Sequence, residues 1–256
     1  MKLYLIASTA LRSGASDFLS QNETNWTQTE GVSNAESVIE FSGRVCYMSF
    51  GKRQSPRNNS EYIGHLISQA HESVLEHATF SILAHQISRS LSQQITRHRV
   101  GFSFSQLSQQ YFFDESPQHI VPADISKDPK AFKIWKNAVN VANQAYEKIT
   151  NSLIDSKFAE GLPDRERLRA IRSAARAVLP NSTGTSIVIT ANLRAWRNFL
   201  HIRGSTEGDF EMTEFCVKIF NLLQSEAPSA FQDFQIQKSN GRELIVRNKN
   251  SRKNNE

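Results

Sequence analysis

The chain has 256 residues, enough to bury a sizeable core in one large domain or two small ones. At 39% hydrophobic and 21% charged it falls in the soluble globular range, and no stretch approaches the roughly 18 apolar residues of a membrane helix. The net charge of +5 is modest and partly carried by the tail (Arg242, Arg247, Lys249, Arg252, Lys253), so charge alone does not separate an anionic small-molecule ligand from nucleic acid.

Taken in chain order, the opening run LYLIA is interrupted by Ser8 and Thr9, too soon for a signal peptide, and reads as a strand over 2–7. A cytoplasmic protein is expected. Residues 10–34 are polar and read as an irregular or mobile connection. Val38, Ile39, Phe41, Val45 and Cys46 recur at mostly helical spacing over 35–49, residues 50–60 form a Gly/Pro/Asn loop, and 61–71 a second helix. TFSILAHQI at 79–87 alternates like a strand, 88–98 is helical, and the Ser- and Gln-rich 99–111 reads as a loop. A long helix spans 128–156. A helix over 163–179 opens on Pro163 with acids in its first turn and stops at Pro180. TGTSIVITA at 183–191 is the strongest strand, Asn192 is placed to cap a helix at 193–203, and 208–224 is a last core helix. Residues 1–236 are expected to form a single catalytic domain, and the basic 237–256 a disordered tail.

The order of elements gives an α/β or α+β fold without regular βαβ alternation or internal repeats. GxGxxG and GxxxxGK[ST] are absent, so a nucleotide site must be built from side chains and not from a glycine-rich phosphate loop. The two cysteines, Cys46 and Cys216, lie in apolar helical segments with no CxxC or zinc spacing; they read as buried thiols in a reducing compartment.

Four segments could carry chemistry. Gln94 and Arg97 share a helix face, and Arg97, His98 and Arg99 fan out at its end; dipole compensation explains one arginine but not RHR running into SFSQLSQQ. In HESVLEH, His71 and His77 are six apart, unsuited to a helical metal pair, while His71 and Glu76 could hydrogen-bond a ligand or serve as ordinary junction residues. Arg165, Arg169, Arg172 and Arg176 form one basic stripe. A solvated face is the default reading, but Arg176 sits among small apolar residues and there needs an anionic partner. Asn192, Arg194, Asn198 and Arg203 offer either a donor ladder for a nucleotide or a solvated polar face.

Together and in this order, HESVLEH, RHR, ARAVLP and NLRAWRNFLHIR resemble the flavin-dependent thymidylate synthases, over about residues 35–225. The family signature, RHR followed after a spacer by a serine in an SxRY-like end, here reads Arg97, His98, Arg99, eight residues, Ser108, Gln109, Gln110, Tyr111. The resemblance implies a central mixed β-sheet flanked by helices, a homotetramer with sites shared between chains, no metal, and neither membrane nor nucleic acid as partner. It implies C5-methylation of dUMP with methylenetetrahydrofolate as carbon donor and NADPH reducing through FAD. Such chemistry needs donors to phosphate, uracil and flavin and no activated thiol. By matching position, Arg203 would contact the uracil and favour loss of its N3 proton. Gln94, Arg97, Gln106, Ser108, Gln109, Gln110 and Arg176 would hold the nucleotide. His71, Ser73, Glu76, Arg97, His98, Arg99, Asn192, Arg194 and Asn198 would line the flavin and folate region.

The spacer and two positions depart from the pattern. The spacer is one residue longer than the commonest one. Gln110 replaces an arginine that grips the nucleotide phosphate, and Glu207 replaces a flavin-side histidine. A charge-assisted phosphate contact is worth roughly 1.5–3 kcal/mol, so two readings stay open at this point: an ordinary thymidylate synthase in which Arg176 with Gln109 or another basic group compensates, or a divergent paralogue acting on another uracil nucleotide such as UMP. A basic nucleic-acid-binding protein, colourless and steeply salt-dependent, is the reading from a different class.

Overall fold

The structure is a computed structural model that describes residues 1–111 and 117–248. Its first half contains β1 (Lys2–Ser8), α1 (Gly14–Gln21), α2 (Asn34–Val45), α3 (Asn59–Ser68), β2 (Thr79–Ser88), α4 (Arg89–Ile95) and β3 (Phe102–Gln106). Then follow α5 (Ala123–Lys127), α6 (Pro129–Asp155), α7 (Asp164–Ala175), β4 (Gly184–Asn192), α8 (Leu193–Arg203), α9 (Phe210–Glu226), β5 (Phe234–Ser239) and β6 (Arg242–Arg247). The helix starts are chemically specified. Ser33, Ser88, Asn192 and Asp209 each accept a backbone N–H from the first turn they precede, and Asn58 with Glu61 forms a reciprocal capping box. Asp128 caps α6, whose first residue is Pro129, where a missing N–H costs nothing.

The main sheet has strand order β1-β2-β4-β3. Strands β2 and β4 run antiparallel: Ser81 pairs with Thr190, His85 with Ser186, and Ala78 O accepts from Leu193 N–H, one number rising as the other falls. In β4, Thr185, Ile187, Ile189 and Ala191 point inward and their neighbours are part-exposed, the period-2 signal that made this strand legible. In β2 the alternation slips by one residue around Gln86, whose φ is +57°, as at a bulge.

The chain divides into two compact units. The first holds Met1–Lys2, Ala84–Arg97 and Phe104–Val188; the second holds Leu3–Leu83, His98–Ser103 and the chain from Ile189 on. The first is built on Ile87, Leu91, Ile95, Ile171 and Ile187, all at most 1% exposed. The second buries Trp196, Phe199, Phe215 and Phe231 completely, each worth roughly 1.5–3 kcal/mol of transfer free energy. No helix among the described residues is long and apolar enough to cross a membrane.

Four expectations are corrected. The stretch 10–34 contains α1, pinned by Phe18 against Phe41 and Phe50 at centroid distances of 6.0 and 6.5 Å. The stretch 99–111 contains β3, in which half-buried Phe102, Phe104 and Gln106 alternate with exposed Ser103 and Ser105. Residues 237–247 belong to the β5–β6 hairpin, registered from Phe234↔Arg247 to Ser239↔Arg242, and only 249–256 of the expected tail lie outside the described residues. Its two-residue turn is Asn240-Gly241, both with positive φ (49° and 74°), the pair that matches strand twist best. Finally, Cys46 is exposed just past the end of α2, and only Cys216 is buried.

Candidate functional site

In the first unit, the start of α4 is fixed by backbone. Arg89 N–H donates to Thr183 O and Ser90 N–H to Asn181 O, both at 3.0 Å, while Ser88 Oγ accepts from Leu91 N–H. This aims Arg89 inward: its Nη1 is buried and has no hydrogen-bond partner. Burial, and after it the like charge of Arg176, pushes the Arg89 pKa down. Arg176 itself is half-buried, and among the described residues no carboxylate pairs with it. The anionic partner that Arg176 calls for is therefore not a carboxylate of the described residues. Two neighbouring guanidinia with one unsatisfied buried N–H form a site that a bound dianion stabilises. Arg89 was missed in the sequence because it reads there as the first residue of an amphipathic helix. The available signal was a cation immediately after the buried end of a strand.

The other nucleotide candidates of this unit fall into two groups. Gln106 Nε2 donates to Ser92 Oγ at 2.9 Å and Thr185 Oγ1 at 3.3 Å, so its amide nitrogen is engaged in packing. Gln94 and Gln109 are half-buried and Arg97 is exposed. In the second group, Ser108 Oγ accepts from Gln110 N–H at 3.3 Å. Gln110 Oε1 accepts from Arg169 Nε at 3.3 Å and its Nε2 donates to Ser173 Oγ at 3.2 Å. Arg172 Nη1 donates to Tyr111 O at 3.0 Å, and Arg165 and Arg169 lie over the Tyr111 ring. The basic stripe of α7, expected by default as a solvated face, thus grips the 108–111 turn.

In the second unit, His98 is half-buried, edge-on to Phe199 with centroids 4.8 Å apart. Arg203 Nε donates to His98 Nε2 at 3.1 Å. A guanidinium keeps its proton, so His98 must accept with a bare Nε2 and carry its hydrogen on Nδ1. Burial first, then the Arg203 charge, lowers the His98 pKa and favours this neutral form. Gly101 (φ +74°) lies in the lengthened spacer. A Cβ there would stand 2.8 Å from Ala195 Cβ and 3.0 Å from Asn192 Nδ2, so a glycine lets the spacer press on the start of α8. Asn192 Oδ1 accepts from Ala195 N–H, as its capping position predicted. His71, Ser73, Arg99 and Asn198 are exposed; Arg194 is exposed too but ion-paired with Glu76.

A 3-10 turn at Glu72–His77 follows His71 and carries Ser73 and Glu76, and it is anchored by a charge network that is not legible in the sequence. Asp233 accepts from Arg197 at 2.6 and 2.8 Å and from Arg247 at 2.7 Å, and Arg247 also donates to Glu72 at 2.7 Å. Arg197 Nη1 further donates to Ala230 O. The signal was Arg197 on the apolar face of α8, between Leu193 and Leu200. Glu207 is exposed and accepts from Ser239 Oγ of the hairpin at 3.2 Å. No cluster of metal-ligating side chains occurs among the described residues. Burial pushes the Cys216 thiol up to about 12, the opposite of an activated nucleophile.

By membership, Gln94, Arg97, Gln106, Ser108, Gln109, Gln110 and Arg176 lie in the first unit. His71, Ser73, Glu76, His98, Arg99, Asn192, Arg194, Asn198 and Arg203 lie in the second. Two neighbouring guanidinia with an unsatisfied buried N–H, beside neutral donors and without a glycine-rich loop, give an α/β protein a cationic site built from side chains. Residues 28–229 match the family described as thymidylate synthase complementing protein. The flavin-dependent thymidylate synthase of Corynebacterium aurimucosum is 38% identical over 238 residues, covering 92% of each chain. Those of Mycolicibacterium gilvum and Mycobacterium tuberculosis are each 36% identical, covering 92% of this chain and 90% of theirs. The chain belongs to the flavin-dependent thymidylate synthase family.

Proposed function

We propose that this protein converts dUMP to dTMP, taking the carbon from methylenetetrahydrofolate and reducing equivalents from NADPH through FAD. The observation that carries this reading is the Arg89–Arg176 pair with its unsatisfied buried Nη1, a side-chain-built anion site among the nucleotide candidates. Arg89 and Arg176 hold the 5′-phosphate, and Gln94, Arg97, Gln106, Ser108, Gln109 and Gln110 complete the nucleotide set. A charge-assisted contact is worth roughly 1.5–3 kcal/mol, so the two guanidinia supply most of the grip on the phosphate.

The second unit's donors fit a flavin by their chemistry. His71, Ser73, Arg99, Asn192 and Asn198 supply neutral and cationic N–H and O–H groups, the mixture that a ring edge and a pyrophosphate require, and Glu76, Arg97, His98 and Arg194 complete the set. Bound there, FAD supplies the hydride chemistry that no side chain can perform. The protein's own part is positioning and polarisation. Arg203 faces the uracil and stabilises the anion left when the N3 proton departs, which raises electron density at C5. His98 fixes the rotamer of Arg203 through the 3.1 Å bond. Ser108 positions the nucleotide as a hydroxyl donor. The chain acts as one catalytic domain, the β5–β6 hairpin included, within a homotetramer whose sites are shared between chains.

Purified protein incubated with FAD, NADPH, methylenetetrahydrofolate and either dUMP or UMP tests this. We expect dTMP from dUMP and little 5-methyl product from UMP. A product from UMP alone, or none from either, overturns the assignment.

A further inference from the structure

The 108–111 turn is fastened to α7 more firmly than packing requires. Within four residues, Gln110 accepts from Arg169 and donates to Ser173, Tyr111 O accepts from Arg172, and the Tyr111 ring lies under Arg165 and Arg169. The Gln110 amide is used at both ends, its oxygen fixing a guanidinium through Nε and leaving that group's terminal nitrogens to other partners. Of these, Nη1 pairs with Glu166 at 2.8 Å, while Nη2 has no partner among the described residues. Both side chains of the Arg169–Glu166 pair are 43% exposed, and an ion pair so open to water is weak, so Arg169 can exchange Glu166 for a stronger anion at little cost. Ser108, two residues away on the same turn, is in turn bonded by the Gln110 N–H.

We propose that Arg169 is a specificity-determining residue that supplies a guanidinium to the nucleotide's 5′-phosphate at the 108–111 turn, with Gln110 as the positioning residue that holds it there. The inference rests on the nucleotide reading above and deepens it. An arginine at position 110 is longer than glutamine and would drive its guanidinium into the place Arg169 now fills. The charge has moved from the turn to the helix, and Gln110 is the neutral partner that lets it stay. Two guanidinia there without an anion would repel.

The test is calorimetric titration of the full-length, FAD-loaded protein with dUMP and with deoxyuridine, which lacks the phosphate. We expect Arg169→Gln to weaken dUMP binding about tenfold or more while moving deoxyuridine less than twofold. Gln110→Arg alone should not tighten dUMP binding, because it sets two cations side by side. Gln110→Arg combined with Arg169→Gln should return dUMP affinity to within about threefold of wild type, by restoring one guanidinium and one glutamine in exchanged places. Arg169→Lys, which keeps the charge, should retain most of the preference for dUMP and carries the test if Arg169→Gln does not fold. Equal loss of both ligands, which a purely structural latch would give, overturns the inference, as does no loss of either or a Gln110→Arg gain independent of residue 169. A wild-type protein that prefers dUMP while Arg169 proves irrelevant sinks this inference alone. Wild-type protein indifferent to the phosphate sinks the nucleotide reading with it.

Discussion

Replacing Asp233 with alanine tests how the flavin-side turn is held. Asp233 is 5% exposed and Arg197 1%, so neither charge is well solvated. Burial alone would raise the Asp233 pKa, but the hydrogen bonds and charges of Arg197 and Arg247 outweigh it and hold the carboxyl below its ordinary range. The same balance operates at Glu72. Two arginines and two carboxylates are therefore mutually neutral. Removing Asp233 leaves Arg197 with Ala230 O and a Glu72 oxygen at 3.5 Å, an under-compensated buried cation. Breaking such a buried pair costs about 3–5 kcal/mol. At roughly 2–4 °C per kcal/mol for a chain of this size, Tm should fall by about 6–20 °C in thermal unfolding followed by circular dichroism. Glu76→Ala is the contrast. Its pair with Arg194 is about half exposed on each side and should cost no more than about 1 kcal/mol. Because folding depresses the pKa of both Asp233 and Glu72, their stabilisation is fully present above the unfolded value near 4 and lost as pH falls from there through the lower folded value, so the Asp233→Ala deficit should shrink in acid. An Asp233→Ala protein within about 2 °C of wild type, or no worse than Glu76→Ala, would refute the reasoning.

Other outcomes follow from single residues. His98 must be neutral to accept from Arg203, and its folded pKa is depressed. Its contribution is therefore present above about pH 6.5 and lost as pH falls below it; the stability gap between wild type and His98→Phe should narrow on acidification, and a constant gap counts against the bond. Ellman's reagent should titrate one thiol per native chain, Cys46, and a second only after denaturation, since Cys216 is buried; two rapid native thiols would contradict the packing. Gly101→Ala places a Cβ in a left-handed conformation against Ala195 and should cost at least about 1–2 kcal/mol in urea unfolding, whereas a neutral effect would mean the lengthened spacer is not pinned on α8.

What the sequence disclosed follows from where its physics is local. β4 alternates cleanly and β2 does so as far as Ala84, α7 announces itself by Pro163 and its acids, and Asn192 caps as its position required. The misses share one cause, composition outweighing pattern. Serines hid the two-residue period of FSFSQ, polar residues hid the Phe18 anchor of α1, and a basic C-terminal stretch hid the Asn-Gly signal of the hairpin. Within the candidate site, motif and position single out Arg176 and Arg203 in the sequence. Arg89 and the Arg197–Asp233–Arg247–Glu72 network were not legible there, because their meaning lies in partners 14 to 175 residues apart and in burial that no spacing encodes. Gln110 reads in the sequence as a loss; in the structure it holds Arg169.

The visible spectrum of the purified, unsupplemented protein tests the central claim most directly. The account predicts a yellow protein with flavin absorbance that bleaches when NADPH is added without oxygen and recovers, with dTMP formed, when methylenetetrahydrofolate and dUMP follow. A colourless protein that takes up no FAD on reconstitution and forms no dTMP would contradict it.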